Sequence, residues 1–354
     1  MSAAAGPGAG GQRQRSDDPG PAASSSVLTR DPAGRASARP AGPGRDGRPA
    51  LSNEWRKRLE ILVLVLPAVA LFVLFALVPM AQAVYYSLFD WNGLGPVDDF
   101  IGIGNYQQAL GDGVFRGAIL NNFIIVVLSL AVQLPLGLGI ALLLNRPLRG
   151  RTVLRTLIFV PYVLAEVIAG VIWLLMLQPR GVVDSLLAGA GLDWARQVWL
   201  GDQDIALYTL FVVLTWKYVG FAIILFLAGL QGVPQELNEA AALDGASWWQ
   251  IQRNVTIPLL GPTIRIWAFL SMIGALQLFD MVWILTGGGP GNATQTMATY
   301  LIQQGFDRGR LGYGTAAAVI LFVISLAVAL LYQRFVLSRD NTEDSAPKKR
   351  KAVR

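Results

Sequence analysis

The fold class is indicated by segments such as Phe123–Leu144, FIIVVLSLAVQLPLGLGIALLL, which contains no charged side chain. A helix needs about 20 predominantly apolar residues to cross the hydrocarbon core of a bilayer. This run of 22 residues meets that length. Its one proline and two glycines are tolerated in membrane helices because neighbouring helices satisfy the backbone groups they free. The segment therefore predicts a transmembrane helix.

Further apolar runs lie on both sides of this segment. They are Ile61–Met80, Leu157–Leu177, Ile205–Leu230, Ile266–Leu285 and Leu311–Gln333. The composition agrees, since 53% of the 354 residues are hydrophobic and 15% are charged, against roughly 25% charged in soluble domains. The sequence predicts an all-α membrane protein with six transmembrane helices.

The two ends of the chain have a different composition from the middle. Residues 1–54 are dominated by Gly, Ala, Pro, Ser and Arg and lack the apolar side chains that would compensate the entropy of folding, so a disordered tail is predicted. Residues 338–354 form a second, basic tail. The membrane domain is expected at residues 55–337.

Basic residues predict how the spans are oriented. The short loop Asn145–Thr156 carries four Lys or Arg, whereas the loop before the second span carries only Arg116. Cytosolic loops are enriched in Lys and Arg, so both termini are expected in the cytosol. The net charge of +6 lies mainly at the ends and is expected to face membrane lipid, not nucleic acid.

The sequence contains neither cysteine nor histidine. Disulfides, thiol or histidine catalysis and the usual zinc or haem sites are therefore not expected in this sequence. It also lacks a Gly-Lys-Ser/Thr phosphate loop, so any ATP hydrolysis is expected on another subunit. We predict no catalytic residue, no metal and no cofactor.

The loop between the fourth and fifth spans, residues 231–263, is long for a connection between helices. Pro234 suits a first helical position, Asp244-Gly245 is a stop signal, and Ser247 with Gln250 is a capping-box pattern. These signals predict two short helices, the second of which ends at Pro258. On physical grounds two interpretations stay open: helices resting on the membrane surface, or a docking element for a soluble partner.

One motif in this loop has a known counterpart. Glu239-Ala240-Ala241, followed by Gly245 and later by Pro258, resembles the EAA loop of permease subunits in binding-protein-dependent ABC importers. A second motif, Phe279-Asp280 followed by Leu285-Thr286-Gly287-Gly288-Gly289-Pro290, resembles the carbohydrate-type branch, the relatives of maltose and glycerol-phosphate importer permeases. The similarity covers roughly residues 55–336.

The resemblance implies a function and a set of partners. The loop would be a coupling helix that inserts into an ATP-binding subunit and transmits its closure to the membrane helices, which then alternate between inward-open and outward-open states. The expected partners are an ATP-binding subunit dimer, a second permease, a heterodimer being favoured, and an extracytoplasmic solute-binding protein. The expected location is the bacterial cytoplasmic membrane. The residues implied in ATPase coupling are Glu239, Ala240, Ala241, Asp244, Gly245 and Pro258.

Polar side chains within the spans are the candidates for the solute path, because intramembrane charges usually face the interior of a bundle or a partner. They are Asn121, Asn122, Gln133, Glu166, Trp216, Lys217, Tyr218, Gln277 and Asp280. Trp216 and Tyr218 beside Lys217 suit a sugar, which is held by polar groups and an aromatic face. Alternatively, Glu166 and Lys217 pair with one another, or with a second permease, and only hold helices together.

The function expected from these features is the permease of an ATP-driven importer for a sugar or sugar-like solute. Two alternatives stay open. The same machinery could carry a polyol, a phosphodiester or a peptide, or the chain could be a membrane scaffold or receptor that moves no solute. An intramembrane enzyme is disfavoured, because no nucleophile–base pair is visible among the buried charges.

Overall fold

The computed structural model describes residues 51–146 and 149–337. Residue contacts divide the chain into two units after Val63. Within the first unit, the described residues 51–63 are helical, and the side chains described there are exposed. All regular secondary structure in the described ranges is helical, and the one β-bridge there joins Phe89 to Phe100. Both predicted tails lie outside the described residues, apart from residues 51–54.

The first two predicted spans are longer helices than the sequence indicated. The first consists of α1 (Leu51–Phe72), a π-helical turn (Val73–Leu77) and α2 (Val78–Tyr86). After α3 (Gly104–Gly111), the second consists of α4 (Gly113–Leu128), a π-helical turn (Ser129–Gln133) and α5 (Leu134–Leu144). The second begins ten residues before the apolar run because the side chain of Asp112 accepts the backbone N–H of Val114 and caps the helix.

The third predicted span, Leu157–Leu177, is not one continuous helix. Its residues form α6 (Arg151–Val163) and α7 (Glu166–Leu177), which meet at an angle of 97°. Leu164 and Ala165 between them have ψ angles of 141° and 142°, so the backbone is extended there. The prediction of an uninterrupted helix was wrong because Lys217, 53 residues after Leu164, stabilises the break, as described below.

The fourth predicted span is confirmed as one continuous helix. After α8 (Val182–Gly189) and a 3-10 turn (Asp193–Ala195), α9 runs over Ala206–Leu230, one residue shorter than the predicted Ile205–Leu230. It is the most enclosed of the long apolar helices described, because 56% of its most apolar window is buried. Both hydrophobic clusters of the described core include side chains from α9.

The fifth predicted span has different boundaries in the structure. The loop region forms α10 (Gln235–Leu243), α11 (Trp248–Ile251), a π-helical turn (Gln252–Thr256) and α12 (Ile257–Leu259). Next, α13 (Gly261–Leu276) begins at a bend of 68°, and a separate short helix, α14 (Asp280–Leu285), follows it. The expected helix Ile266–Leu285 was wrong because residues 277–279 leave the helical conformation; Phe279, for example, has φ −131°.

The last predicted span, Leu311–Gln333, is confirmed as a helix. It follows α15 (Met297–Ile302) and a π-helical turn (Gln303–Asp307), and it forms α16 (Leu311–Tyr332), which continues into a π-helical turn at Gln333–Leu337. In the described part of the chain, four helices are long and apolar enough to cross a membrane. That number rises to six if each of the two bent pairs is one span.

Candidate functional site

The break between α6 and α7 is stabilised by the ammonium group of a single lysine. Lys217 Nζ donates hydrogen bonds to the carbonyl oxygens of Pro161 at 3.0 Å, of Tyr162 at 3.1 Å and of Leu164. An ammonium group has three donors, and burying it without partners would be very costly. Here all three donors meet carbonyls that the break leaves without a helical partner. Lys217, only 1% exposed, is therefore part of the scaffold.

Glu166 is the first residue of α7 and contacts two neighbouring residues of α9. Its Oε1 lies 3.7 Å from Lys217 Nζ and accepts a hydrogen bond of 2.9 Å from the hydroxyl of Tyr218. A carboxylate is also favourable at the positive end of a helix. The pairing of Glu166 with Lys217, one of the two expectations for these charges, is thus present in the structure. Glu166 Oε2 is buried and has no hydrogen-bond partner.

A cavity of about 240 Å³ lies next to this break. Polar groups reach it from Ser129, Gln133 and Ser271, and aromatic rings from Tyr162, Tyr218, Phe221 and Trp267. The remaining lining is apolar: Ile125, Leu214, Leu270, Gly274, Ala275 and Leu278. Few polar groups on a mainly apolar and aromatic wall are typical of binding sites for small molecules.

Two local features position this lining. Ser129 and Gln133 are the first and last residues of the π-helical turn between α4 and α5, a deviation that is frequent at functional sites. Gln133 Nε2 donates to Thr215 Oγ1 at 3.2 Å, which orients the amide. The ring of Tyr162 stacks on that of Phe221, with centroids 5.1 Å apart and planes 21° from parallel.

Of the residues proposed from sequence for the solute path, Gln133 and Tyr218 line the cavity. The other predicted residues lie elsewhere. Asn122 is fully buried and donates to the carbonyls of Ala275 and Leu276. Trp216 packs edge-to-face on Trp173.

The last two predicted path residues lie at the break between α13 and α14. Gln277 and Asp280 are both exposed there. Sequence reasoning missed the lining residues of α13, although Trp267, Ser271 and Gly274 recur at helical spacing and share one face.

The loop that carries the EAA resemblance forms two helical pieces, as predicted. Gly245 has φ +81°, a conformation that glycine adopts at little cost, and it separates α10 from α11. The backbone N–H of Ser247 donates to Gln250 Oε1, one of the two bonds of the predicted capping box. Asp244 is the residue that ends α10.

Two details of the prediction for this loop are corrected. Pro234 precedes α10 and does not occupy its first turn. Pro258 does not end the second helical piece, which continues to Leu259. Because Pro258 lies in the first turn of α12, its missing N–H removes little helical hydrogen bonding.

One side of the loop faces the membrane helices and the other is exposed. Ile251 is buried, and the ring of Trp248 packs against the cluster that includes the end of α5. The guanidinium carbon of Arg146 lies 3.9 Å from the centre of that ring, a cation–π contact that joins the end of α5 to α11.

Side chains on the other side of the loop have few contacts within the chain. Glu239 and Ala240 are exposed and Ala241 is half-buried. Two large apolar side chains that sequence reasoning did not single out are also exposed here, Leu243 at 89% and Trp249 at 72%. Exposed apolar groups concentrated on one element are typical of contact surfaces.

A separate polar network joins α4, α15 and α16. The hydroxyl of Tyr300 donates to Asp112 Oδ2 at 2.6 Å and lies 2.7 Å from the hydroxyl of Tyr313. Burial acts to raise the pKa of Asp112, but the hydrogen bonds from Tyr300 and from the backbone N–H of Val114 outweigh it and lower the pKa below 3.8. Burial and the bond to Asp112 raise the pKa of Tyr300.

The Gly287–Pro290 loop is tightly packed. Gly287 and Gly288 have φ +58° and +90°, and a Cβ on Gly288 would overlap the side-chain amide of Gln295. Just beyond it, Gly291 and Asn292 line a second, more polar cavity of about 510 Å³, together with Asn121 and Gln203.

Comparison with known proteins gives consistent matches. A family model described as "Binding-protein-dependent transport system inner membrane component" matches residues 133–339. The diacetylchitobiose uptake system permease protein NgcF of Streptomyces coelicolor is 33% identical over 90% of this chain and 93% of its own length. The trehalose/maltose transport system permease protein MalF of Thermococcus litoralis is 32% identical over 76% of this chain and 91% of its own.

A solved structure has the same fold. It is a bacterial ABC transporter involved in the import of the acidic polysaccharide alginate, and the matching chain has a TM-score of 0.72. Sequence identity is 24%, and the match covers 81% of the present chain and 98% of the other.

Proposed function

The chain belongs to the inner-membrane components of binding-protein-dependent transport systems, and we propose that it forms the path of a saccharide through an ATP-driven importer. Such a permease is a transport subunit and not a catalytic enzyme. The observation that carries the proposal is the cavity beside the α6–α7 break, where Gln133 and Tyr218 meet an otherwise apolar and aromatic wall. Aromatic faces suit the apolar faces of sugar rings, and amide and hydroxyl groups suit their hydroxyls.

The saccharide part of the proposal is supported by the relatives. The names of the Streptomyces and Thermococcus permeases refer to diacetylchitobiose and to trehalose and maltose. For this chain, Gln133 and Tyr218 are the proposed solute contacts. Glu166 and Lys217 hold the break that presents Tyr162 and Tyr218 to the cavity. Of the other residues that sequence analysis suggested, Asn122 and Trp216 support the surrounding helices in this proposal. The exposed Gln277 and Asp280 do not contact solute in it.

The proposed topology counts each bent helix pair as one span, which gives six. Residues 55–337 then form the permease domain in a bacterial cytoplasmic membrane, and the tails 1–54 and 338–354 are cytosolic. The four Lys and Arg of the loop 145–156 support this orientation.

The loop at residues 231–263 is the proposed site of coupling to the ATP-binding subunits. Glu239 would contribute the charge at that interface and Ala240 and Ala241 its flat surface, with Asp244 and Gly245 forming the turn behind them. Pro258 begins the segment that leads back into α13. The exposure of Leu243 and Trp249 supports docking of a protein there, because water solvates such side chains poorly.

The remaining partners follow from the family. A second permease, different in sequence, would complete the path, and a solute-binding protein would deliver the cargo from outside. The polar cavity at Gly291 and Asn292 supports a contact with the solute-binding protein. In the six-span topology one span separates this cavity from the coupling loop, so the two lie on opposite sides of the membrane.

Transport by the reconstituted importer tests this proposal. The chain is assembled in liposomes with its ATP-binding subunits, companion permease and binding protein, and labelled saccharides, polyols, phosphodiesters and peptides are offered with ATP. Accumulation of a saccharide that stops without ATP is expected. Accumulation of a polyol, phosphodiester or peptide instead would show that the cargo is not a saccharide. ATP hydrolysis that no solute affects would favour a membrane scaffold or receptor.

A further inference from the structure

The cavity beside the α6–α7 break offers hydrogen bonds but no positive charge. Its polar groups come from Ser129, Gln133 and Ser271 and from the hydroxyls of Tyr162 and Tyr218. All of these side chains are neutral, and so are the other residues that line the cavity. An acidic sugar would leave its hydration shell on entering such a site and would find no cation there.

The nearest cation is already committed. Lys217, adjacent to Tyr218 in sequence, gives all three of its protons to the carbonyl oxygens of Pro161, Tyr162 and Leu164. Its side chain is 1% exposed. For Lys217 to bind an anionic solute, it would have to release the backbone that forms the wall of the cavity.

Apart from the ammonium group of Lys217, which is already bonded, the charged groups near the cavity are carboxylates. Glu166 accepts the hydroxyl of the lining residue Tyr218, and its second oxygen, Oε2, is buried without a partner. Asp280 follows the lining residue Leu278 by two positions. Opposite charges lower the energy of a buried group and like charges raise it, so these carboxylates oppose a second anion.

We propose that this site selects neutral saccharides against acidic ones, an inference that rests on the proposed transport function. The stacked rings of Tyr162 and Phe221 present an apolar face to a sugar ring. Gln133, Ser271 and Tyr218 supply donors and acceptors for uncharged hydroxyl groups. The absence of a cation from the cavity lining then contributes to specificity as much as the hydrogen bonds do. The charge of an acidic sugar would be buried there without a partner, which is strongly unfavourable.

A single added charge tests the proposal. The variant Ser271→Arg places a guanidinium group in the lining, and Ser271→Gln is the matched control with a long, neutral and polar side chain. Each importer is assembled in liposomes with all its subunits. Uptake is measured for a neutral trisaccharide and for an analogue of the same length that ends in a uronate.

The wild type and Ser271→Gln are expected to favour the neutral sugar. In Ser271→Arg, the ratio of acidic to neutral uptake is expected to rise at least about tenfold, because a nearby cation offsets the charge of the uronate. An unchanged ratio in a variant that still transports would overturn the inference. So would a wild type that prefers the uronate. Either result leaves saccharide transport intact, whereas absence of ATP-dependent uptake of any saccharide would count against the proposed function itself.

Discussion

Lys217 illustrates how one side chain can determine local architecture. Its three hydrogen bonds end on carbonyls of a segment more than 50 residues earlier in the chain, and they fix the extended backbone at Leu164 and Ala165. The residue type could be read from the sequence as a costly intramembrane charge. The carbonyl groups that bind Lys217 could not be predicted from the sequence, because every residue has a backbone carbonyl and the residue type does not show which one is bound.

Removing this ammonium group is expected to destabilise the protein. Lys217→Met leaves three carbonyls and Glu166 without their partner, which we expect to cost about 3 kcal/mol or more of unfolding free energy. Glu166→Gln is the matched comparison, because it removes the charge of the 3.7 Å pair and keeps an acceptor for Tyr218. Thermal unfolding of the purified variants measures both. Equal losses in the two would show that the ion pair, and not the carbonyl contacts, carries the stability.

The hydrogen bond between Tyr300 and Asp112 predicts how the stability of the protein depends on pH. The bond from Tyr300 to ionised Asp112 is worth about 2 kcal/mol, so Tyr300→Phe should unfold more easily at pH 7. Because the pKa of Asp112 is lowered in the folded protein, this contribution is fully present above the unfolded value of 3.8 and is lost as pH falls through the folded pKa. Unfolding scans of variant and wild type should therefore converge below about pH 3.8. A difference that stays constant from pH 7 to pH 3 would contradict the assignment.

At the scale of elements, sequence analysis succeeded where helices are uniform and failed where they break. The span Ile205–Leu230 was placed to within one residue, since nothing in α9 departs from helical geometry. The breaks at Leu164 and Gln277 were missed, because both are stabilised by contacts with distant segments. Lys217 makes these contacts at the first break, and Asn122 makes them with the carbonyls of Ala275 and Leu276 at the second. The cavity was therefore only partly predictable: Gln133 and Tyr218 are conspicuous polar residues, whereas Trp267 is indistinguishable from core in the sequence.

The coupling loop gives a prediction at the same scale. A Cβ on Gly245 would have no atom of the described residues within 4 Å, so Gly245→Asp adds only backbone strain of about 1 kcal/mol here. We expect normal membrane insertion and loss of ATP-dependent uptake, because the added side chain would obstruct the ATP-binding subunit. The control is Gly309→Asp, which also has positive φ and open space around its Cβ. Normal uptake in Gly245→Asp, or equal loss in the control, would remove the coupling role of this turn.

At the scale of the whole molecule, we predict that both bent helix pairs cross the membrane. Because the sequence contains no cysteine, single cysteines can be introduced without background. Six spans put Ala240 and Asn292 on opposite sides of the membrane, whereas four spans put them on the same side. A membrane-impermeant thiol reagent applied to intact cells should label Asn292→Cys, and should label Ala240→Cys only after permeabilisation. Labelling of both from outside would establish four spans.

The hydrogen bonds that Lys217 donates at the α6–α7 break also affect how the chain inserts into the membrane during synthesis. A chain made from its N-terminus exposes the carbonyls of Pro161, Tyr162 and Leu164 well before Lys217 has been synthesised. Carbonyl groups without hydrogen-bond partners are not tolerated in lipid, so the α6–α7 pair cannot be released into the bilayer alone. We expect the insertion machinery to retain it until α9 emerges, which makes the third and fourth spans a single unit of membrane integration.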